Sequence, residues 1–424
     1  MAITQEPAIE RRAESVQEHP LRSSIRLLFI AALIIFIVTV LIGLLNGQKL
    51  VQLSHEVLLT HVHAGTIGWI TLSVFALSLW LFGPGRSPET NATDGPFTRW
   101  LGIIGAVAVP CYVLAFLSGN FIARAAFAVP VLLVVLGFFG WIIARSSKVA
   151  LGVERIALLA ALFTLLFGAT VGSLLQFQFA TNRAFLPEGA FGAHPASLVA
   201  GYLYLIGIAL SEWRLRPASA RASVWGIVLG ALFFLAGLVI ATGLLLNLPP
   251  LLALNALLIL IGAIVYVVRF APSAVRLNWL DRDGKRQFAM SGAFIVFEVI
   301  LNIYLVVLFI TSPAGSEPPQ GLFIALDHGM FIGVMTNALF ALLHEATFER
   351  RSFWPWADDV LFWGMNIGLI GFLVALLSGI VVLERIFTPI MGLSILLGIV
   401  VYVARFWPQR AGTVVSDVQA QGGE

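Results

Sequence analysis

Charged residues are scarce in this sequence and cysteine is almost absent. Asp, Glu, Lys and Arg make up 11% of the 424 residues, whereas apolar residues make up 59%. Soluble proteins carry about 25% charged residues, so this composition excludes a soluble globular domain. The single cysteine, Cys111, excludes an intrachain disulfide, and no CxxCH haem-attachment motif is present. No cleavable signal peptide is expected before the first apolar run, and nucleic acid is not expected as a partner.

Apolar runs of about 20 residues recur along the whole chain, each long enough to cross a bilayer as a helix. They predict an all-α, polytopic membrane protein with one membrane domain over 25–406. Polar tails are expected at 1–24 and 407–424. The twelve predicted spans are 25–46, 57–83, 100–118, 124–145, 155–178, 191–213, 223–246, 250–269, 287–312, 321–343, 359–381 and 386–406.

The basic residues are distributed unequally between the two sides of these spans. If the N-terminus is cytoplasmic, the outer segments hold four of the 25 Lys and Arg residues and the inner segments hold the other 21. The outer four are Lys49, Arg124, Arg183 and Arg385. The positive-inside rule then predicts both termini in the cytoplasm, in a plasma membrane of the bacterial type.

Histidines recur at the outer ends of three spans. The second span opens on the stretch His61-Val62-His63-Ala64-Gly65-Thr66-Ile67-Gly68-Trp69, whose two histidines project about 200° apart on a helix. His194 begins the sixth span, 131 residues after His63, and His328 lies in the tenth, 134 residues further on. A histidine every four spans indicates a threefold repeat of four-helix units, with His63, His194 and His328 expected to converge.

These features resemble subunit I of the haem-copper oxidase superfamily, over nearly all of residues 25–406. HVHAGTIGW is similar to the His-x-His-x-Gly-x-x-Gly-Trp motif of the cbb-type oxidases, which lies on the tenth span there and on the second here. His194 resembles the position of a copper-binding histidine, and His328 that of a haem ligand. The resemblance implies a pseudo-threefold bundle of twelve helices with oxidase-like or nitric oxide reductase-like chemistry. The membrane haem proteins of the NnrS type, linked to nitric oxide tolerance, are also similar in pattern.

The sequence departs from the oxidases at the copper site. The family requires a histidine pair on the seventh span, and residues 223–246 contain no histidine. The tyrosine found just after the sixth-span histidine in many oxidases is also absent. A complete haem-copper centre and bound copper are therefore not expected.

Haem b is the expected cofactor, because neutral imidazole is a standard axial ligand of haem iron. His63 is the deeper of the two second-span histidines, so we expect His63 and His328 to be the axial pair. His61 is then turned toward His194 or the membrane interface. Either a second haem or a vacated metal site is expected between spans two and six. The alternative is that each histidine only hydrogen-bonds a neighbouring helix or caps one.

Four further residues are candidates for supporting roles. Asp327 is placed to fix the tautomer of His328 or to accept protons, with a dipole-stabilised acid as the alternative. Glu298, in the middle of span nine, is a candidate proton relay. Arg183 and Arg385 are candidate partners of haem propionates, with solvated loop arginines as the alternative.

Three functions remain open from the sequence. The first is a respiratory oxidoreductase or electron carrier, which would need a donor cytochrome or quinol. The second is a haem or gas-binding protein without turnover. The third is a twelve-span transporter, a class whose internal repeats usually relate three or six spans rather than four.

Overall fold

The computed structural model describes residues 19–85, 95–216, 222–312, 318–350 and 353–407. These residues form helices and connecting turns, with no β-strand in the described part of the chain. Twelve helices are long and apolar enough to cross a membrane, which confirms the predicted all-α, polytopic fold. They are α1 (Arg22–Gly47), α2 (His55–Phe82), α3 (Gly95–Leu117), α4 (Phe121–Ser146), α5 (Val153–Thr181), α6 (Ala190–Leu215), α7 (Val224–Leu245), α8 (Pro249–Val275), α9 (Lys285–Phe309), α10 (Gln320–Ala346), α11 (Pro355–Ser378) and α12 (Val381–Phe406).

The predicted N-terminal tail is partly wrong. Residues 1–18 lie outside the described residues, as do 408–424 of the C-terminal tail, but residues 19–24 belong to the bundle. His19 is buried, its Nδ1 accepts a hydrogen bond from the backbone N–H of Leu21 (3.1 Å), and its ring packs on Gly83 at the end of α2. Burial lowers the pKa of His19 to about 4, so the ring is neutral at pH 7.

The twelve helices follow one another as three four-helix units, α1–α4, α5–α8 and α9–α12. In each unit a glycine on the second helix lets the first helix approach closely. A Cβ at Gly68, Gly201 or Gly333 would lie 2.6, 2.9 or 2.4 Å from Ile35, Thr164 or Phe294, respectively. These glycines are 133 and 132 residues apart, and their partners are 129 and 130 apart. The same contact thus occurs three times, which supports the internal repeat and sets its register.

Each histidine-bearing helix changes from α to π geometry just after its histidine. The π-helical stretches are Ala64–Thr71 in α2, Ser197–Leu203 in α6 and Gly329–Thr336 in α10. The wider turn is visible in the side-chain bonds, because Thr71 donates to the carbonyl of Thr66 (3.0 Å) and Thr336 to that of Phe331 (2.8 Å), each five residues back. π-Helical turns occur often at functional sites.

We call the end of the bundle at which α2, α6 and α10 begin the histidine side, and the opposite end the far side. Ion pairs between neighbouring helices concentrate on the far side. They are Arg269–Glu212 (α8 to α6, 2.7 Å), Arg214–Glu345 (α6 to α10), Arg286–Asp359 (α9 to α11, 2.8 Å) and Arg405–Asp358 (α12 to α11, 2.9 Å). Three of these largely buried pairs lie within one unit, and Arg214–Glu345 joins the second unit to the third at the end remote from the histidines.

Candidate functional site

A cavity lies between α1, α2, α10, α11 and α12 on the histidine side. The empty space at this cavity is about 820 Å³, a volume that includes space open to the exterior. Its wall is mostly apolar, and its polar lining residues are Thr39, His61, Asp327, His328, Thr336 and Thr388. A mostly apolar cavity with a few converging polar groups is the usual form of a cofactor site.

His61 and His328 face each other across this cavity. The centroids of the two imidazole rings are 6.4 Å apart, and the ring planes differ by 25°. Two metal–nitrogen bonds of about 2 Å each and two ring radii of about 1 Å each add to about 6 Å between ring centroids. The observed separation therefore fits one metal ion held between the two rings.

Backbone hydrogen bonds fix the tautomer of both rings. His61 Nδ1 lies 2.8 Å from the carbonyl oxygen of Thr39 on α1, and His328 Nδ1 lies 2.9 Å from that of Ile324, one turn earlier in α10. Because a carbonyl can only accept, each Nδ1 carries the proton. Nε2 is then the unprotonated nitrogen of each ring, which is the form that binds a metal.

The predicted pairing of His63 with His328 is wrong. His63 points to the other side of α2, where its ring stacks on Phe116 with centroids 3.7 Å apart and meets Tyr112 edge-on at 6.1 Å. The prediction chose between the two histidines by their depth in the membrane. Which of them contacts His328 is instead determined by the face of α2 that is turned to α10. Gly65 and Trp69, four and eight residues after His61, line the cavity with it. This i, i+4, i+8 stripe lies along one face of α2, but the sequence does not show that this face, rather than that of His63, is turned to α10.

His194 does not converge with the other histidines on one point. Its Nδ1 bonds to the carbonyl oxygen of Gly168 on α5 (2.8 Å), and its ring lies within electrostatic range of His63. Of the four predicted histidines, the structure therefore brings His61 and His328 together across the cavity, while His63 and His194 lie outside it.

Asp327 lines the cavity but does not set the tautomer of His328, because the carbonyl of Ile324 occupies Nδ1. It lies within electrostatic range of Glu298 on α9. Glu298 is 1% exposed, and its Oε1 has no hydrogen-bond partner among the described residues. That oxygen lies against the backbone of Gly329, next to His328. Two carboxyl groups thus follow one another from the bundle interior to the cavity, and the relay role of Glu298 stays a prediction.

The two candidate arginines lie in different places. Arg385 is exposed near the start of α12, three residues before the cavity-lining Thr388, and its carbonyl accepts a hydrogen bond from Gln48 (2.7 Å). Arg183 is exposed in the connection between α5 and α6, and α6 does not line this cavity. Neither arginine lines the cavity, and Arg385 is the one that lies on a helix contributing to its wall.

Two features of the site were missed from the sequence. Trp69 donates from Nε1 to the hydroxyl of Thr336 (3.1 Å), which joins the π-helical stretches of α2 and α10 at the inner end of the cavity. Lys49 pairs with Glu384 (3.1 Å) where α1 and α12 end and begin on the histidine side. The tryptophan was visible in the motif, but its threonine partner lies 267 residues away.

No family model matches this sequence, and no curated protein matches it significantly. The site is therefore interpreted from its own chemistry. Among the described residues, no three His, Cys, Asp or Glu side chains come together in a way that could hold a metal ion. The fold defines a multi-pass membrane protein, and the histidine pair is its principal ligand-binding feature.

Proposed function

We propose that this chain is a membrane cytochrome that binds haem b between His61 and His328. The observation that carries the proposal is the pair of rings 6.4 Å apart across an apolar cavity, each with Nδ1 occupied by a backbone carbonyl. Two protein ligands are sufficient for haem iron, because the porphyrin supplies the other four. The haem would be held without a covalent link, since the sequence has no CxxCH motif.

Electron transfer is the activity that this arrangement favours. Haem held by His61 and His328 would supply a one-electron redox centre, and with both histidines holding the iron no position would be left for a gas. The flanking residues have separate roles in this proposal. Arg385 would lie near the propionates, and Glu298 and Asp327 would carry a proton to the cavity as the charge of the site changes. A quinol or a donor cytochrome would supply the electrons.

The relationship to subunit I of the haem-copper oxidases is part of the same proposal. Three four-helix units with histidines on the second, sixth and tenth helices support a divergent relative of that family, placed in a bacterial-type plasma membrane. Oxygen or nitric oxide chemistry would need a site with an open iron position, and non-catalytic gas binding in nitric oxide tolerance has the same requirement. The histidine pair therefore favours electron transfer over both.

The test is the haem content and visible spectrum of the full-length protein purified in detergent. We expect a Soret band with sharp α-bands on reduction. His61→Ala and His328→Ala should each remove one haem per chain, because each leaves the iron with one protein ligand in this cavity. His55→Ala, an exposed position at the start of α2, is the matched control and should retain the wild-type haem content. A colourless wild-type protein would refute the proposal and favour the transporter.

A further inference from the structure

We propose that His63 and His194 form a second bis-histidine haem site, related to the first by the threefold repeat. That the ligand is haem rests on the proposed function; that the two sites are equivalent rests on contacts within the repeat. The register set by Gly68, Gly201 and Gly333 equates His61 with His194 and with Leu326. It equates His63 with Ala196 and with His328.

The hydrogen bonds of the rings agree with this register. His61 and His194 each bond through Nδ1 to a carbonyl on the first helix of their own unit, Thr39 and Gly168, at 2.8 Å. His63 and His328 each bond through Nδ1 to the carbonyl four residues earlier in their own helix, at 2.8 and 2.9 Å. Each proposed site thus combines one ring that bonds to a neighbouring helix, His61 or His194, with one ring that bonds within its own helix, His328 or His63. The two rings of a site come from adjacent units.

The inner ends of the two sites are built alike. Trp69, eight residues after His61, donates to Thr336, eight residues after His328. Tyr202, eight residues after His194, donates to Thr71, eight residues after His63 (3.3 Å). A hydrogen bond between equivalent positions therefore lies at the inner end of both sites, at the same depth. An incidental closeness of two histidines would not reproduce it.

The third interface of the repeat lacks every one of these features. Between the second and third units, the ligand positions hold Ala196 and Leu326. The positions eight residues later hold Tyr204 and Val334, and valine cannot donate or accept a hydrogen bond. The histidine pair and the hydrogen bond eight residues later are both present at two interfaces and both absent at the third. This is expected if the histidines and the hydrogen bond serve one function.

Aromatic side chains orient the second ligand in each site. His63 stacks on Phe116 of α3 at 3.7 Å, and His328 packs edge-on against Phe372 of α11 at 5.0 Å; α3 and α11 are the third helices of their units. The contact with Phe116 covers the face of the His63 ring. A metal bond lies in the ring plane along Nε2, so the stacking fixes the ring without occupying the ligand direction.

An arginine lies near the start of the fourth helix in the two units that supply His63 and His328. Arg124 and Arg385 follow the N-caps of α4 and α12, Asn120 and Ile380, by four and five residues. Arg124 is buried, donates from Nη2 to the carbonyl of Phe116 (3.0 Å), and lies 4.7 Å from the centroid of that ring. The second unit has Ala196 at the position of His63 and His328. Its fourth helix starts Pro249-Pro250-Leu251-Leu252, without a cation. We therefore assign Arg124, rather than Arg183, as the propionate partner in the second site.

The test is the number of haems per chain in the full-length protein and its single variants. Wild type should bind two haems. His63→Ala and His194→Ala should each reduce the count to one and leave the His61–His328 signal. His61→Ala and His328→Ala should also reduce the count to one, but leave the His63–His194 signal.

In His194→Gly, added imidazole should restore the lost low-spin signal, a rescue that a purely structural role of His194 would not show. His63→Met should keep two haems, with one shifted to a higher potential, as methionine ligation does.

The outcomes separate the two proposals. One haem per chain, lost in His61→Ala and His328→Ala but unaffected in His63→Ala and His194→Ala, overturns the second site and leaves the first. One haem with the opposite dependence overturns the first site and leaves the second. A protein without haem overturns both.

Discussion

Gly43 and Gly172 occupy the same place beneath the two histidines that bond to a neighbouring helix. Each lies four residues after the residue whose carbonyl accepts that bond, Thr39 or Gly168, on the first helix of its unit. A Cβ at Gly43 would be 3.0 Å from Cε1 of His61, and a Cβ at Gly172 would be 2.5 Å from Cε1 of His194. The absence of a side chain at these two positions is what makes room for the imidazole rings.

Alanine at these glycines should disturb the sites while leaving the fold intact. Gly172→Ala should displace the His194 ring and remove most of the second haem. Gly43→Ala should have a smaller effect on the first, because the contact there is looser. Alanine favours a helix over glycine by about 1 kcal/mol, so thermal stability should not fall for a backbone reason. Haem content per chain and the thermal unfolding midpoint measure the two effects separately.

Gly140→Ala is the control for this pair, since a Cβ there has no heavy atom within 4 Å. It should leave both haems in place. Equal haem loss in Gly140→Ala and Gly172→Ala would show that the effect is not steric contact with His194.

At the scale of the element, the π-helical stretches of α2, α6 and α10 set the rotation of each histidine about the helix axis relative to the part of the helix that packs in the centre of the bundle. A single residue removed from a helix rotates the part before the deletion by about 100° relative to the part after it. In α2, one stretch controls both His61 and His63, whereas the stretches in α6 and α10 each control one ligand.

Deletion of one residue from these stretches should therefore have different effects in the three helices. Removing Ile67 from α2 should abolish both haems, removing Val199 from α6 only the second, and removing Ile332 from α10 only the first. Haem counting with the reduced spectra of each variant distinguishes these results. Removal of Val51, in the connection between α1 and α2, should be tolerated. Loss of both haems in all three helix deletions would contradict this role of the π-helical stretches and indicate general misfolding.

The helix phase is also where prediction from sequence failed. Composition and apolar runs were enough for all twelve spans, because their length and hydropathy are local properties. The recurring histidines revealed the repeat, but the true register is two residues away from the one that equated His63 with His194. That offset depends on π-helical turns and on the partner of each helix, which no local pattern contains. The choice between His61 and His63 depended on the same information.

At the scale of the whole molecule, the unequal distribution of Lys and Arg predicts the orientation of the bundle in the membrane. The predicted topology places the histidine side outside and the far side, with its ion pairs, in the cytoplasm. In a background with Cys111→Ala, a cysteine at exposed Glu188, between α5 and α6, should react with a membrane-impermeant maleimide in intact cells. A cysteine at exposed Lys148, between α4 and α5, should react only after the membrane is permeabilised. The reverse pattern would show the opposite orientation.

Each proposed site combines one histidine of each depth, so the threefold repeat places the two sites at the same depth in the bundle. The hydrocarbon core of a bilayer is about 30 Å thick, and an electron passing between the sites would cross almost none of it. A membrane potential of 100 mV acts on a unit charge with about 2.3 kcal/mol over the full thickness, so it would contribute almost nothing to this step. Exchange between the two centres would thus run parallel to the membrane surface and be almost insensitive to voltage, and any charge separation by this protein would occur where electrons enter or protons leave.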